Sequence, residues 1–186
     1  MTYENPVLPG SHPDSRVGDD YYLVTSSFNY FPGVPLYHSD NLILGERLGH
    51  CLMRESQLVL GDTRSSGGIF APTLRHHDGT FYLVTTHVDG GGHFVVSADD
   101  PAGEWSDPID IGAPGFDPDL FFDDGTAYFT YAAGPTLAET TIQRTALNLV
   151  MEAVGDTCGI EGSFCEAPHL YERDSVYTFA SMPNVK

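Results

Sequence analysis

The sequence predicts an all-β fold of the propeller type, and three observations carry that expectation. Apolar runs flank tight-turn signals: Leu120-Phe121-Phe122 leads into Asp123-Asp124-Gly125, and residues 127–131 resume the apolar pattern. Asp-Gly between two such runs favours a type I′ hairpin turn. The same unit recurs in four copies, opening on Asp14-Ser15-Arg16-Val17, Ala71-Pro72-Thr73-Leu74, Asp117-Pro118-Asp119-Leu120 and Ala167-Pro168-His169-Leu170. The steps between copies are 57, 46 and 50 residues, and each second strand carries a Tyr (Tyr22, Tyr82, Tyr128, Tyr177). Strand-rich repeats of about 40–50 residues mark propeller blades.

Taken in order, residues 5–10 hold two prolines and read as an extended lead-in. Residues 21–27 alternate and form a strand. Residues 28–36 follow, with aromatics at Phe28, Tyr30 and Phe31. Residues 38–42 form an outer turn, 44–66 are weakly patterned, and 61–68 are a polar Gly/Ser-rich loop. Phe70 opens the second blade; residues 89–92 turn and 94–98 form a strand. Trp105, the only Trp, is expected to pack between blades. Residues 137–144 suit a short helix or, given β-branched Thr140, Thr141 and Ile142, a strand. The fourth blade opens at residues 161–171. The chain then holds about three blades and the start of a fourth, one domain over residues 1–186.

In a propeller the first strand of each blade lines the axis, so equivalent strand starts converge on one mouth. Asp14 and Asp117 share a repeat position, and Glu166 precedes it by one residue. Turn formation accounts for Asp19, Asp78, Asp123 and Asp124. It does not account for an Asp beside Pro before an apolar strand in two of the four copies. Three carboxylates distant in sequence are therefore expected at one mouth.

Composition bounds the rest. The chain is 41% hydrophobic, enough for a folded core. The 26 acidic residues outnumber 8 basic ones, for a formal net charge of −18. Such a surface repels nucleic acid and anionic lipid, and neither is an expected partner. No apolar run is long enough to span a membrane. No signal segment is visible, which fits the cytoplasm without excluding secretion. Cys51, Cys158 and Cys165 form no disulfide framework, and Cys158, Cys165 and His169 match no common zinc spacing. No metal or cofactor is expected.

The motifs NPVLPGSHPDSRV, SSFNYFPGVPLYHSDNL, SGGIFAPTL, GFDPDLF and EAPHLY together resemble glycoside hydrolase family 43, nearest its β-xylosidase branch. The resemblance implies a five-bladed propeller, of which this chain is the first part. It implies an inverting hydrolase releasing xylose from β-1,4-xylooligosaccharides, or arabinose from arabinofuranosides. Asp14 would be the general base, Glu166 the general acid, and Asp117 a third carboxylate that orients the acid. Phe28, Phe70 and Ala71 would wall the sugar pocket. The chain departs from the family where Asp-Pro-Ser is usual and it reads Asp14-Ser15-Arg16, and where Trp is common and it has Phe70. The family's later His and Arg fall beyond Lys186. Those departures keep open a non-catalytic carbohydrate-binding propeller or an inactive fragment. The Asn-Asp-Pro nucleophile motif of fructoside-splitting relatives is absent.

The chemistry agrees with this set of residues. Inverting hydrolysis needs one ionised carboxylate to activate water and one protonated carboxyl to release the leaving group, roughly 6.5–9.5 Å apart. Holding a Glu protonated near neutrality requires a nearby like charge or an apolar wall.

Overall fold

The computed structural model describes residues 20–148, 157–160 and 165–183, and every element among them is a strand apart from one short 3-10 turn. The strands form antiparallel sheets in chain order. The first sheet comprises β1 (Tyr21–Val24), β2 (Gly33–Ser39) and β3 (Gly45–Leu52). The second comprises β4 (Ile69–His77), β5 (Thr80–His87), β6 (Gly92–Ala98) and β7 (Ile109–Ile111). The third comprises β8 (Phe116–Asp123), β9 (Thr126–Ala133), β10 (Thr141–Leu147) and β11 (Cys158–Ile160). The hairpin of β12 (Cys165–Arg173) and β13 (Val176–Pro183) begins a fourth. The inner strands lie side by side, β4 against β8 and β8 against β12. This is part of a β-propeller. The expected first inner strand, residues 14–17, lies outside the described residues.

The hairpin turns follow from local chemistry. Asp78-Gly79 and Asp124-Gly125 have both central residues at positive φ (48° and 81°; 49° and 76°), the type I′ geometry. In the fourth hairpin Asp174 and Ser175 take the same conformation at 52° and 61°. Residues 137–144 combine both expectations, with a 3-10 turn at Leu137–Glu139 before β10 begins. The weakly patterned stretch 44–66 contains β3, whose paired sequence GERLGHCL is mostly polar at its start and alternates poorly.

Each described inner strand carries the same irregularity. Pairing slips by one residue between Phe70 and Thr73, between Phe116 and Asp119, and between Glu166 and His169. The extra residue sits at the repeat position identified in the sequence: Ala71 (φ 20°), Asp117 (φ 53°) and Ala167 (φ 49°). A proline follows each. Proline has no N–H to give the ladder, so a bulge accommodates it where regular pairing would not. Positive φ at a residue other than Gly is strained, and its recurrence at one position marks the axial mouth as a special site.

Packing joins the blades. Trp105 is buried in a cluster with Val24, Leu36 and Leu52 of the first sheet and Leu74, Leu83 and Phe94 of the second. It therefore packs between blades. A second cluster joins Val84 and Val95 to Leu120, Phe129 and Leu147. At the hairpin ends His77 stacks on Phe122 with ring centroids 4.4 Å apart. Arg54 ties loop to loop, donating to Glu104 at 2.8 Å and Asp107 at 2.7 Å. No helix among the described residues is long and apolar enough to cross a membrane.

Candidate active site

The bulges of β4, β8 and β12 meet. A narrow crevice runs between Ala71-Pro72, Asp117-Pro118 and Ala167-Pro168, with Thr73 and His169 at its side. Asp117 Oδ2 accepts a hydrogen bond from the Ala167 N–H at 3.1 Å. Glu166 precedes Ala167 on β12 and is half-buried. Asp117 and Glu166 thus occupy the starts of adjacent inner strands. Asp14, which the family resemblance implies as the base, lies outside the described residues.

The aromatic wall is built by a close approach of two chain segments. Phe28 exchanges both main-chain hydrogen bonds with Ile69, at 2.9 and 3.0 Å. The rings of Phe28 and Phe70 meet edge to face with centroids 5.5 Å apart. Gly68 permits this approach: at φ +84° it sits against the Phe28 carbonyl, and a Cβ there would collide with it. Asp89 fixes the glycine by accepting from the Gly68 N–H at 3.1 Å and from Arg64 Nε at 2.8 Å. Ala71 follows Phe70 and reaches the crevice. The expected pocket residues Phe28, Phe70 and Ala71 therefore lie together on the side of the mouth formed by β4.

Beneath the crevice is a charged pair that sequence reasoning left unassigned. Asp119 is fully buried. Its Oδ1 accepts from Arg75 Nε at 3.1 Å and Nη2 at 2.5 Å, and its Oδ2 accepts from Nη2 at 2.8 Å. Oδ2 also accepts from the Leu170 N–H at 2.9 Å. His169 Nδ1 lies 3.5 Å from Oδ1. Arg75 further donates to the Leu170 carbonyl at 3.1 Å, and its guanidinium lies 5.6 Å from the centre of the Tyr171 ring. Burial raises the Tyr171 phenol pKa; Arg75 opposes that shift and Asp119 adds to it. A signal for Asp119 alone existed: two residues after the repeat position stand Arg16, Thr73, Asp119 and His169, each polar and followed by an apolar residue.

Among the described residues, one group has metal-ligand character. Asp20, His38 and Asp40 offer atoms within 4.8 Å of one another. Both carboxylates are exposed, and Asp20 precedes β1 where the other blades place the hairpin turn, away from the mouth. No disulfide joins the cysteines; Cys158 is exposed on β11, while Cys165 is buried beside Ala132 and Ile142.

Three bulged inner strands that meet at their starts define the mouth of a partial β-propeller. The family is then shown directly: the model for glycosyl hydrolases family 43 matches residues 3–185, and the chain belongs to that family. It is 45% identical to a xylosidase/arabinosidase of Butyrivibrio fibrisolvens, over 93% of this chain and 37% of that protein. It is 42% identical to a non-reducing end alpha-L-arabinofuranosidase of Bacteroides ovatus, over 97% of this chain and 36% of the relative. Among solved structures, a xylan beta-1,4-xylosidase from Bacillus halodurans superposes with a TM-score of 0.86 at 38% identity, covering 99% of this chain and 39% of that one. The chain thus spans little more than a third of the length of the relatives it matches.

Proposed function

We propose that this chain is the first part of the catalytic domain of an inverting exo-glycosidase. It releases xylose from the non-reducing end of β-1,4-xylooligosaccharides, or arabinose from arabinofuranosides. Asp14 activates water, Glu166 protonates the leaving oxygen, and Asp117 orients the acid. The observation that carries the reading is the Asp117–Ala167 hydrogen bond, which joins the third carboxylate to the peptide beside the acid. Phe28 and Phe70 supply an apolar, edge-to-face wall suited to the face of a pentose ring. The names of the relatives, xylosidase and arabinofuranosidase, support the substrate class. The acidic surface does not oppose a neutral sugar.

The test uses the full-length polypeptide and aryl glycosides of graded leaving-group ability, as xylosides and arabinofuranosides. Glu166→Gln should depress hydrolysis of poor leaving groups most, since activated aryl groups need little protonation. Asp14→Asn should abolish turnover of both. Equal losses in Glu166→Gln across the series would remove Glu166 as the acid. Sugar binding without turnover by the wild type would replace the enzyme reading with a binding module.

A further inference from the structure

We propose that the buried Arg75–Asp119 pair is the positioning device for the proton donor, setting the course of β12 where Glu166 leaves it. The inference rests on the assignment of Glu166 as acid. The β12 bulge receives no regular ladder support from β13 between Glu166 and His169. Pro168 has no N–H to contribute. Its fixation comes instead from β8, across the blade boundary. Asp117 holds the Ala167 N–H at the start of the bulge, and Asp119 holds the Leu170 N–H just past its end. Arg75, from β4, binds the carbonyl of the same Leu170 residue. Leu170 is therefore gripped at both its N–H and its carbonyl by one ion pair, and three blades converge on it.

Stability alone is a poor reason for such a pair. Burying two charges carries a desolvation penalty, and apolar side chains of equal volume often serve the fold as well. What apolar side chains cannot do is hold an N–H and a carbonyl in fixed directions. A displacement of about 1 Å in a reacting group can cost on the order of a hundredfold in rate. The nearby cross-blade bond from Thr73 Oγ1 to the Pro118 carbonyl, at 2.9 Å, ends on β8 and does not reach β12.

The experiment compares Asp119→Asn, Arg75→Lys, Glu166→Gln and Arg54→Gln in the full-length polypeptide, reading kcat/KM over the same leaving-group series alongside thermal melting. Arg54 lies outside the site in a solvent-facing clamp between loops and controls for destabilisation alone. Asp119→Asn should lose about tenfold more on poor leaving groups than on activated ones. Arg75→Lys keeps the charge but not the two-pronged geometry and should shift the same ratio less. Arg54→Gln should lower the melting temperature and leave the ratio alone. If Asp119→Asn does not fold, Arg75→Lys decides. Folded Asp119→Asn or Arg75→Lys with the wild-type ratio, beside a shifted Glu166→Gln, overturns the positioning role and leaves the acid assignment standing. An unshifted ratio in Glu166→Gln overturns both.

Discussion

Asp117 and Ala167, fifty residues apart in sequence, are joined by a 3.1 Å hydrogen bond from the Ala167 N–H to the Asp117 carboxylate. Both stand at the same repeat position of adjacent blades, and both have positive φ. The bond has two separable parts, an acceptor for the amide and a carboxylate charge one residue along from Glu166, the proposed acid. Asp117→Asn retains an acceptor oxygen and removes the charge; Asp117→Ala removes both. Asn should therefore melt near the wild type while kcat falls about ten- to a hundredfold. Ala should lose, in addition, about 1 kcal/mol of stability. Steady-state rates paired with urea unfolding in the full-length polypeptide separate the two. Unchanged kcat in Asn would assign Asp117 a structural role only.

Gly68 controls the aromatic wall. Its φ of +84° and its contact with the Phe28 carbonyl leave no room for a Cβ. Gly68→Ala should push residues 28 and 69 apart and displace Phe28 from Phe70. The expected outcome is a raised KM for the glycoside, with a stability loss of about 1–3 kcal/mol. Substrate titration and thermal melting check it. A wild-type KM in folded protein would mean that the two rings do not form the sugar wall.

The repeat was legible because hairpin turns and apolar alternation are local signals. Asp78-Gly79 and Asp124-Gly125 fix their turns through φ, and the paired runs on each side follow. The shared position of Asp117 and Ala167 was legible from the same alignment. The bulges were not, because an Ala or Asp before Pro reads as an ordinary extended residue; only cross-strand pairing reveals the slip. β3 and β7 escaped notice because outer strands have few apolar positions to alternate. Asp119 was visible as a carboxylate in an apolar run, which demands a buried partner. Its partner Arg75 lies 44 residues away in another blade, and no local pattern connects them.

His93 makes stability depend on pH. It is fully buried against Phe129 and Tyr131, with Nδ1 2.8 Å from Thr86 Oγ1. Burial pushes its pKa from 6.5 down to about 4, an effect the Pro114 carbonyl offsets only in part. The neutral ring is favoured in the folded state, so its contribution is complete above pH 6.5. As pH falls from 6.5 towards 4, the unfolded chain gains a proton that the folded chain refuses, and stability is lost. The total is about 3 kcal/mol. Urea unfolding between pH 7.5 and 4.5 should show this loss in the wild type and a flatter profile in His93→Leu. Parallel profiles would mean that His93 charges inside the fold at little cost.

The last prediction concerns residues 1–186 expressed alone. Among the described residues β13 pairs only with β12, and its Val176 and Tyr177 are 61% and 54% exposed. A strand edge with unpaired main-chain groups and exposed apolar side chains is a template for another chain. Propeller blades also stabilise one another through neighbour contacts, so the β12–β13 hairpin, which among the described residues packs on one side only, should hold Glu166 less firmly than a blade packed on both. The isolated polypeptide should therefore self-associate and hydrolyse xylobiose and aryl glycosides feebly or not at all. Sedimentation velocity at several concentrations, with activity measured on the same samples, provides the check. Val176→Lys places a charge on the free edge and should return the polypeptide towards a monomer without restoring turnover. A monomeric wild-type polypeptide of residues 1–186 with full activity would show that neither the edge nor one-sided packing of β12 and β13 matters to the site.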